Sequence, residues 1–594
     1  MGCKKKVVLS GNQAIARGFY EGGGKVAASY PGSPTVEILE SMKEYEEIYS
    51  EFSTNEKVAL EVAMGASLYG SRAMASMKHV GMNIAADPLM TFSQTPINGG
   101  FVLVSGSDPG MASSQNEQDN RIFGKFANMG ILAPGSSQEA KDFMKFALDI
   151  SEEFEAPILI DISSRTCHSR GIVELDDRVE KEPSGFEIDQ EKYCMLPPNT
   201  YKAQYFMRKR LEKLRQYAYD MPINTLEEVD GSDTLIITSG LMYYNLKELN
   251  LPVSIYKLGM VYPISTRKVR ELGERYEKII VLEETMPFIE NELKRKGIEC
   301  EGKRYFPFTK ELHIEDIEEG LFNAGVVRER RLTRVEPMDT VSRPPMFCAG
   351  CPHRPIFDIL KKSKVKVIGD IGCYSMAVLP AFEAAHTNIS MGASVGMIKG
   401  MNKAMRQNND DEPIAAVIGD GTFFHSGLPG FVNLLHQADE EDNMTLIVLD
   451  NRTTAMTGGQ PNASSGRYNV DDDMDASIKE ILNAMGIKNV IEVDQFDYNK
   501  TREIINGELK KKGLSVIIAT RPCALRYKIK EPYFYVDPEI CIGCRSCVRT
   551  NCPPIRMKKY EGIDKLKSSI DPDVCVGCSV CAQVCPVNAI KRSK

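Results

Sequence analysis

The sequence lacks any long apolar run. No uncharged apolar stretch among the 594 residues approaches the ~20 residues that a membrane-spanning helix needs, and the N-terminal segment has no apolar core typical of a signal peptide. The chain also lacks an excess of positive charge, and its formal net charge of −8 argues against broad nucleic-acid binding. We therefore expect a cytoplasmic protein that neither crosses a membrane nor binds nucleic acid.

The composition is that of a folded protein with several domains. Hydrophobic residues make up 42% of the chain and charged residues 26%, which is too apolar for a disordered polypeptide. The length corresponds to roughly three to five domains of ordinary size. Short apolar runs that alternate with helical patterns predict an α/β fold with parallel sheets covered by helices.

Changes in pattern along the chain predict the domain boundaries. We expect one α/β unit over residues 1–180, a polar linker over 181–225 and a second α/β unit over 226–335. A third α/β unit is predicted over 340–530, and a short cysteine-rich segment follows over 531–594.

The cysteines are concentrated near the C-terminus. Of sixteen, eight lie between residues 541 and 585. In a reducing compartment such a block predicts metal ligation rather than disulfides. The second half of the block has the C-x2-C-x2-C-x3-C-P spacing of two-cluster ferredoxins, and the first half has one additional residue before its last cysteine.

In this ferredoxin pattern the fourth cysteine of each run binds the other cluster. The predicted ligands of the first cluster are Cys541, Cys544, Cys547 and Cys585. The predicted ligands of the second cluster are Cys575, Cys578, Cys581 and Cys552. A pair of structural zinc sites is the alternative, but zinc ribbons lack the third cysteine and the Cys-Pro endings.

A candidate diphosphate site lies in the third unit. Gly419-Asp420-Gly421 follows an apolar strand, and the next predicted strand ends in Asp450-Asn451. Carboxylate and amide oxygens at neighbouring strand ends suit Mg²⁺, and glycines before a helix let backbone amides approach phosphates. Gly-Asp-Gly alone is also a common turn. With the trailing Asp-Asn, the pattern resembles the diphosphate-binding half of thiamine diphosphate enzymes.

A candidate acid for the same cofactor lies in the first unit. Glu56 stands nine positions before Gly65, on a predicted helix with small residues. This resembles the thiamine-enzyme pattern, which implies that the Glu56 carboxylate contacts the cofactor's pyrimidine ring. The alternatives are that Glu56 is a solvated helix-start residue or that Glu61 is the acid.

Together these motifs resemble the large subunits of indolepyruvate:ferredoxin oxidoreductases, within the 2-oxoacid:ferredoxin oxidoreductase family. The resemblance covers nearly the whole chain. It is also carried by residues 30–35, 78–83, 87–88, 113–119, 348–353, 369–373 and 457–460. The Cys-Pro-His form at 351–353, the single-chain fusion and the stretch 78–81 favour the indolepyruvate branch over the pyruvate branch.

The resemblance implies a fold and an activity. The fold would be two doubly wound thiamine diphosphate-binding domains, pyrimidine-binding at 1–180 and diphosphate-binding at 340–530, with a transketolase C-terminal-like domain at 226–335 and a two-cluster ferredoxin domain at 531–594. The activity would be oxidative decarboxylation of indolepyruvate and related arylpyruvates to aryl-acetyl-coenzyme A and CO2, with ferredoxin as electron acceptor. Another 2-oxo acid specificity, a non-oxidative thiamine diphosphate decarboxylase and an electron-transfer scaffold are the alternatives.

The resemblance also implies roles for residues and partners. Ser33 would lie near the substrate and Glu56 would be catalytic. The residues implied to bind thiamine diphosphate are Gly419, Asp420, Gly421, Asn451, Thr453 and Gly392, of which Asp420, the Asn451 side chain and the Thr453 carbonyl would ligate Mg²⁺. The partners would be a smaller subunit, in an α2β2 heteromer, and ferredoxin, with coenzyme A as co-substrate.

For two further features the sequence leaves two interpretations open. Cys348, Cys351, Cys373 and Cys523 resemble the ligands of a third, cofactor-proximal [4Fe-4S] cluster, or they are inert buried thiols. Lys78 and His79 could face the substrate carboxylate or form a surface loop pair. We expect His353 to be a packed residue rather than a ligand.

Overall fold

The computed structural model of the protein describes residues 5–332, 338, 341, 344–380, 382–437, 439–467 and 475–593. The chain forms two compact units, Met1–Asp339 and Thr340–Lys594. Within the described ranges, no helix combines the length and the apolar character needed to cross a membrane.

The first unit is built around a seven-stranded sheet. Six of its strands are parallel and the edge strand that comes first in the order is antiparallel. The order is Met260–Tyr262, Gly130–Leu132, Ile158–Ser163, Phe101–Ser107, Ala73–Lys78, Val26–Ser29 and Tyr49–Phe52. Its central strands are buried almost throughout, as expected for parallel strands covered by helices on both faces.

The described residues of this unit also form two smaller sheets. A four-stranded sheet has the order Lys278–Leu282, Thr234–Ser239, Ser254–Leu258 and Thr225–Glu227, with the last strand antiparallel. The first strand of the chain, Lys6–Ser10, pairs antiparallel with Arg170–Glu174 outside the main sheet.

The helices of the first unit connect these strands. Their bounds are Gly11–Glu21, Val36–Met42, Glu56–Leu68, Gly81–Ile84, Ala86–Phe92, Asn120–Phe126, Ser137–Glu153, Ser164–His168, Gln190–Tyr193, Asn199–Tyr217, Gly240–Glu248, Thr266–Gly273, Phe288–Lys294 and Ile314–Asn323. The polar segment predicted as a linker thus contains a helix of 19 residues. Met207, Leu211 and Leu214 form its buried stripe, which the surrounding basic residues hide in the sequence.

The second unit contains a five-stranded parallel sheet followed by the cysteine-rich segment. The sheet order is Lys366–Ile368, Ile414–Gly419, Asn443–Asp450, Gly513–Thr520 and Val490–Val493. The cysteine-rich segment holds two antiparallel strand pairs, Phe534–Val536 with Ile590–Arg592 and Ile555–Lys558 with Lys567–Ile570.

The helices of the second unit cover its parallel sheet. The α-helices are His353–Ser363, Ala393–Gln407, Asp420–Thr422, Leu428–His436, Ile478–Ala484, Tyr498–Glu508 and Val580–Gln583. Short 3-10 turns run over Cys373–Val378, Ala455–Thr457 and Val548–Thr550, and Phe423–Gly427 is a π-helical turn.

Candidate cofactor and electron-transfer sites

Glu56 is a buried carboxyl at one end of the large sheet. It begins the helix Glu56–Leu68, which Asn55 caps by accepting a hydrogen bond from the Val58 N–H at 2.9 Å. The side chain lies against Gly81, since a Cβ built on Gly81 would come within 2.7 Å of Glu56 Oε1. Glu56 is 6% exposed, whereas Glu61 forms a surface ion pair. Of the two candidate acids on this helix, Glu56 is therefore the buried one.

Ser33 and the Lys78-His79 pair lie near the same end of the large sheet. Ser33 is half-buried in the loop after the strand Val26–Ser29, and a Cβ on the preceding residue, Gly32, would meet the Lys78 Cβ at 3.0 Å. The Lys78 ammonium donates to the Ser113 carbonyl at 2.6 Å. His79 is fully buried, and this burial lowers its pKa. His79 is thus not a surface residue.

Asp420 follows a central strand of the five-stranded sheet and is 3% exposed. Its Oδ2 atom accepts hydrogen bonds from the Thr453 N–H at 3.1 Å, the Asn462 amide at 3.0 Å and the Ser464 hydroxyl at 3.2 Å. Three donors therefore hold one carboxylate oxygen in place, while the other, Oδ1, is turned toward Asn451.

Three oxygen atoms meet at Asp420 Oδ1. The end of the Asn451 amide that carries its oxygen lies 2.8 Å from the Thr453 carbonyl oxygen and 3.1 Å from Asp420 Oδ1. Acceptors face one another at this range only if the amide turns its NH2 group inward or a cation lies between them. Octahedral Mg²⁺ with oxygen ligands at about 2.0–2.1 Å separates neighbouring ligands by about 3 Å. The donor set and its spacing therefore fit Mg²⁺.

The electrostatics of this position also favour a cation. Burial, together with the negative charge of Asp450, raises the pKa of Asp420 to about 7. A divalent cation would oppose this rise because it stabilises the charged carboxylate.

Gly392 precedes the helix Ala393–Gln407 in a left-handed conformation, with φ of 82°. A Cβ at this position would come 2.9 Å from the Ser426 backbone. The Gly392 N–H donates to Asp370 Oδ1 at 2.9 Å, and the Ser394 N–H donates to Asp370 Oδ2 at 3.0 Å. The fully buried Asp370 carboxylate thus accepts hydrogen bonds from backbone amides at the start of this helix. Sequence reasoning missed this role.

The cysteines of the C-terminal segment line two cavities in the grouping that their spacing predicts. One cavity is lined by Cys541, Cys544, Cys547 and Cys585, and a second, larger cavity is lined by Cys552, Cys575, Cys578 and Cys581. Each cavity is therefore lined by three cysteines of one run and the fourth of the other. Within the described ranges, no three His, Cys, Asp or Glu side chains converge closely enough for a single metal ion. Four thiols around one space are the ligand set of a [4Fe-4S] cluster.

The four cysteines of the possible third cluster are also neighbours. Burial raises the pKa of Cys351 to about 12, and the charges of Cys373 and Cys348 add to this rise. Burial likewise raises the pKa of Cys373 to about 11, with Cys523 and Cys348 contributing. The Cys523 N–H donates to the Asn451 carbonyl at 3.0 Å. This group therefore lies beside the proposed Mg²⁺ ligands.

All three cysteine groups begin with the same turn. Each has the form C-x-G-C, and its glycine adopts a left-handed φ: 68° at Gly350, 73° at Gly543 and 77° at Gly577. Glycine adopts this conformation without strain. The repeated turn supports a common use of the three groups, a signal that the sequence contains but that our sequence reasoning did not extract.

Arg354 lies between the third cysteine group and the second cavity. Its guanidinium is 4% exposed and donates to the carbonyls of Cys348 at 2.8 Å and Thr550 at 3.2 Å. It also donates to the carbonyls of Phe347 and Asn551. Arg354 lines the second cavity together with Cys351. One buried cation thus joins two cysteine-bearing segments. No local pattern in the sequence predicts this contact.

The chain matches three known families. Residues 17–220 match "Pyruvate flavodoxin/ferredoxin oxidoreductase, thiamine diP-bdg", residues 370–519 match "Thiamine pyrophosphate enzyme, C-terminal TPP binding domain", and residues 533–587 match "4Fe-4S dicluster domain". Indolepyruvate oxidoreductase subunit IorA of Archaeoglobus fulgidus is 38% identical over 99% of this chain and 98% of its own length. The chain belongs to the IorA family.

A second IorA relative supports this assignment. The Pyrococcus horikoshii subunit is 36% identical over 99% of this chain and 97% of its own length. A solved 2-oxoglutarate:ferredoxin oxidoreductase from Magnetococcus marinus matches with a TM-score of 0.43 and 15% identity, over 50% of this chain and 62% of that chain, which is too weak to add to it. The predicted family and the predicted fold class, thiamine diphosphate-binding α/β domains with a C-terminal dicluster domain, are confirmed.

Proposed function

We propose that this chain is the thiamine diphosphate-binding subunit of an oxidoreductase acting on indolepyruvate and related arylpyruvates. The products are CO2 and the aryl-acetyl thioester of coenzyme A, and ferredoxin receives the electrons. One observation carries the proposal: a buried oxygen site at Asp420 and two four-cysteine cavities occur in the same unit. A non-oxidative decarboxylase has no use for the cavities, and an electron-transfer scaffold has no use for the oxygen site.

In this proposal Asp420, Asn451 and Thr453 would hold Mg²⁺, through which the diphosphate would be bound. The donors on Asp420 Oδ2 fix the carboxylate so that Oδ1 is presented to the ion. A Cβ at Gly419 would meet the Tyr374 ring at 2.8 Å, so packing favours glycine at this position, and we expect the backbone at Gly421 to approach the diphosphate. These residues bind and orient the cofactor.

Bound thiamine diphosphate supplies the carbanion chemistry of 2-oxo acid decarboxylation, and the clusters accept electrons one at a time. Glu56 would hold a proton between its carboxyl and the pyrimidine ring nitrogen of the bound cofactor. Its burial keeps water away from that hydrogen bond. Ser33, in the loop after the strand Val26–Ser29, would contact the substrate, and Lys78 would offer a nearby positive charge to the substrate carboxylate.

The clusters form a path within the second unit. We infer that Cys348, Cys351, Cys373 and Cys523 hold a third, proximal [4Fe-4S] cluster, because these thiols neighbour one another and Cys373 lies close enough to Asp420 to be affected by its charge. Electrons would then pass to the Cys552, Cys575, Cys578 and Cys581 cluster, whose cavity Cys351 also lines. The Cys541, Cys544, Cys547 and Cys585 cluster would be last. The curated relatives are named as subunits, and we expect a smaller partner subunit in an α2β2 assembly.

Anaerobic co-expression with the partner subunit tests this function. We expect a brown protein that contains iron, sulfide and thiamine diphosphate, and that reduces ferredoxin when given indolepyruvate and coenzyme A. Comparison with phenylpyruvate, pyruvate and 2-oxoglutarate measures the specificity. Iron without thiamine diphosphate would support the scaffold instead, and thiamine diphosphate without iron would support the non-oxidative decarboxylase.

A further inference from the structure

We propose that the surface around the first cluster loop is the docking site for a small acidic redox protein. This surface, the exit patch, consists of the apolar residues Ile540, Ile542 and Leu566 and the basic residues Arg545, Arg549 and Lys565. The inference rests on the proposed function, because a docking site for an electron carrier requires electrons to reach this loop.

The exposure of the cysteines indicates where electrons leave. Of the two groups in the cysteine-rich segment, the first contains the exposed Cys544. In the second, Cys575 and Cys581 are buried and Cys552 and Cys578 are only partly exposed. The larger cavity is lined by Cys351 and Arg354 from outside the cysteine-rich segment, so it faces the interior of the unit. The smaller cavity is lined by Cys544 and Ile542, which places it at the surface end of the path.

The centre of the exit patch is apolar. Ile542 is 56% exposed, Leu566 46% and Ile540 39%. The loop and the hairpin tip form one surface, since a Cβ on Gly543 would come within 2.7 Å of the Leu566 carbonyl oxygen. The Lys567 ammonium also donates to the Cys541 carbonyl and ties the hairpin to the loop. Large apolar side chains grouped beside an electron donor indicate a contact surface.

The rim of the exit patch is basic, in contrast to the acidic chain. Residues 540–567 contain seven Lys and Arg and two Asp and Glu, whereas the whole chain has a formal net charge of −8. Arg545, Arg549 and Lys565 are exposed. The Arg549 guanidinium is held near the loop by hydrogen bonds of 3.4 Å to the Cys544 carbonyl and the Ser546 hydroxyl. A basic rim around an apolar centre favours an acidic partner and accelerates its association.

Charge reversal tests the exit patch in the holoenzyme with its partner subunit. We expect Arg545→Glu/Arg549→Glu to raise the KM for a small acidic ferredoxin about tenfold or more at low salt, and to weaken the salt dependence of that KM. Reduction of methyl viologen should not slow. Lys500→Glu/Lys510→Glu makes the same change in net charge on and beside the helix Tyr498–Glu508 and should leave the KM for ferredoxin unchanged.

Lys565→Glu is the second variant, because it lies on the hairpin and not between cluster cysteines. It should raise the KM for ferredoxin about threefold with full iron content. An unchanged KM in both patch variants would overturn the proposal, as would loss of the partner subunit during purification, which would assign the patch to the subunit interface. Calorimetric titration of the holoprotein with oxidised ferredoxin tests docking without turnover, so a failure of the proposed activity would be seen separately.

Discussion

At the residue scale, two neighbouring carboxyls of one helix have different environments. Glu56 is buried at the helix start, while Glu61, one and a half turns later, pairs with Lys57 at the surface. Their separation of five positions places them on different faces of the helix. We therefore expect Glu56, and not Glu61, to meet a cofactor at this end of the sheet.

Glu56→Gln should keep the fold and suppress decarboxylation. Glutamine preserves the shape and the burial but cannot hold an exchangeable acidic proton, so we expect CO2 release from indolepyruvate to fall at least a hundredfold. Glu61→Gln is the matched control and should retain nearly full activity. Thiamine diphosphate and iron contents, measured in both variants, should equal those of the unaltered protein. Turnover by Glu56→Gln within threefold of normal would contradict the assignment.

The Asp161 carboxyl makes the stability of the folded protein depend on pH. It lines a cavity in the first unit, and its Oδ1 accepts no hydrogen bond from any described residue. Burial, with the negative charge of Asp119 adding to it, raises the pKa of Asp161 to about 7. The folded state therefore binds this proton more tightly than the unfolded state, and stability falls as pH rises from about 4 to 7.

Asp161→Asn should remove this loss. We expect the substitution to raise the free energy of unfolding at pH 8 by on the order of 2 kcal/mol more than it does at pH 4. The midpoint of thermal unfolding, followed between pH 4 and 8, measures the change. Asp220→Asn, at an exposed position, should leave the pH profile unaltered. A pH profile of Asp161→Asn that matches the unaltered protein would refute the prediction.

At the scale of elements, the C-x-G-C turns bring separate segments into contact. A Cβ on Gly350 would lie 2.1 Å from the Val576 side chain, in the turn of the second cluster. Arg354, four residues later, bonds to the carbonyls of Thr550 and Asn551 next to Cys552. The first turn of the second unit and the cysteine-rich segment are thus packed as one body.

Gly350→Ala should separate these turns. The left-handed conformation costs about 1 kcal/mol for alanine, and the clash with Val576 adds about 1–3 kcal/mol. Gly562 has a φ of 75° with open space around its Cβ position, so Gly562→Ala isolates the conformational cost. We expect Gly350→Ala to lower the thermal midpoint and the anaerobic iron content, and Gly562→Ala to cause a small loss of stability only. Equal effects of the two substitutions would rule out the packing argument.

At the scale of the whole molecule, the second unit combines the proposed cofactor site, at one edge of its parallel sheet, with the proposed electron path. Asp420 and Asn451 directly follow two of the parallel strands, and Cys523 follows the neighbouring strand Gly513–Thr520. Ligands bind outside the carboxyl ends of strands in such sheets. The same edge thus supplies the proposed Mg²⁺ ligands and one thiol of the proposed proximal cluster.

Cys544→Ala should interrupt only the outer end of the path. The variant loses a thiol of the surface cluster, so we expect ferredoxin reduction to fall at least a hundredfold. A single-turnover measurement of CO2 release should be unaffected, because the remaining clusters still accept electrons. Cys194→Ala, an exposed cysteine outside the three groups, serves as control. Normal ferredoxin reduction by Cys544→Ala would argue against the exit through this cluster.

The amino-acid sequence by itself determined the local features. Alternating apolar runs predict parallel sheets, and the spacing of eight cysteines predicts how they divide between two cavities, because both depend on short repeats along the chain. Tertiary structure alone decided which carboxyls are buried, that Asp370 caps a helix start, that three oxygens meet at Asp420 and that Arg354 joins two cysteine groups. Those contacts join residues far apart in sequence, so they exist only once the sheets have brought their strand ends together.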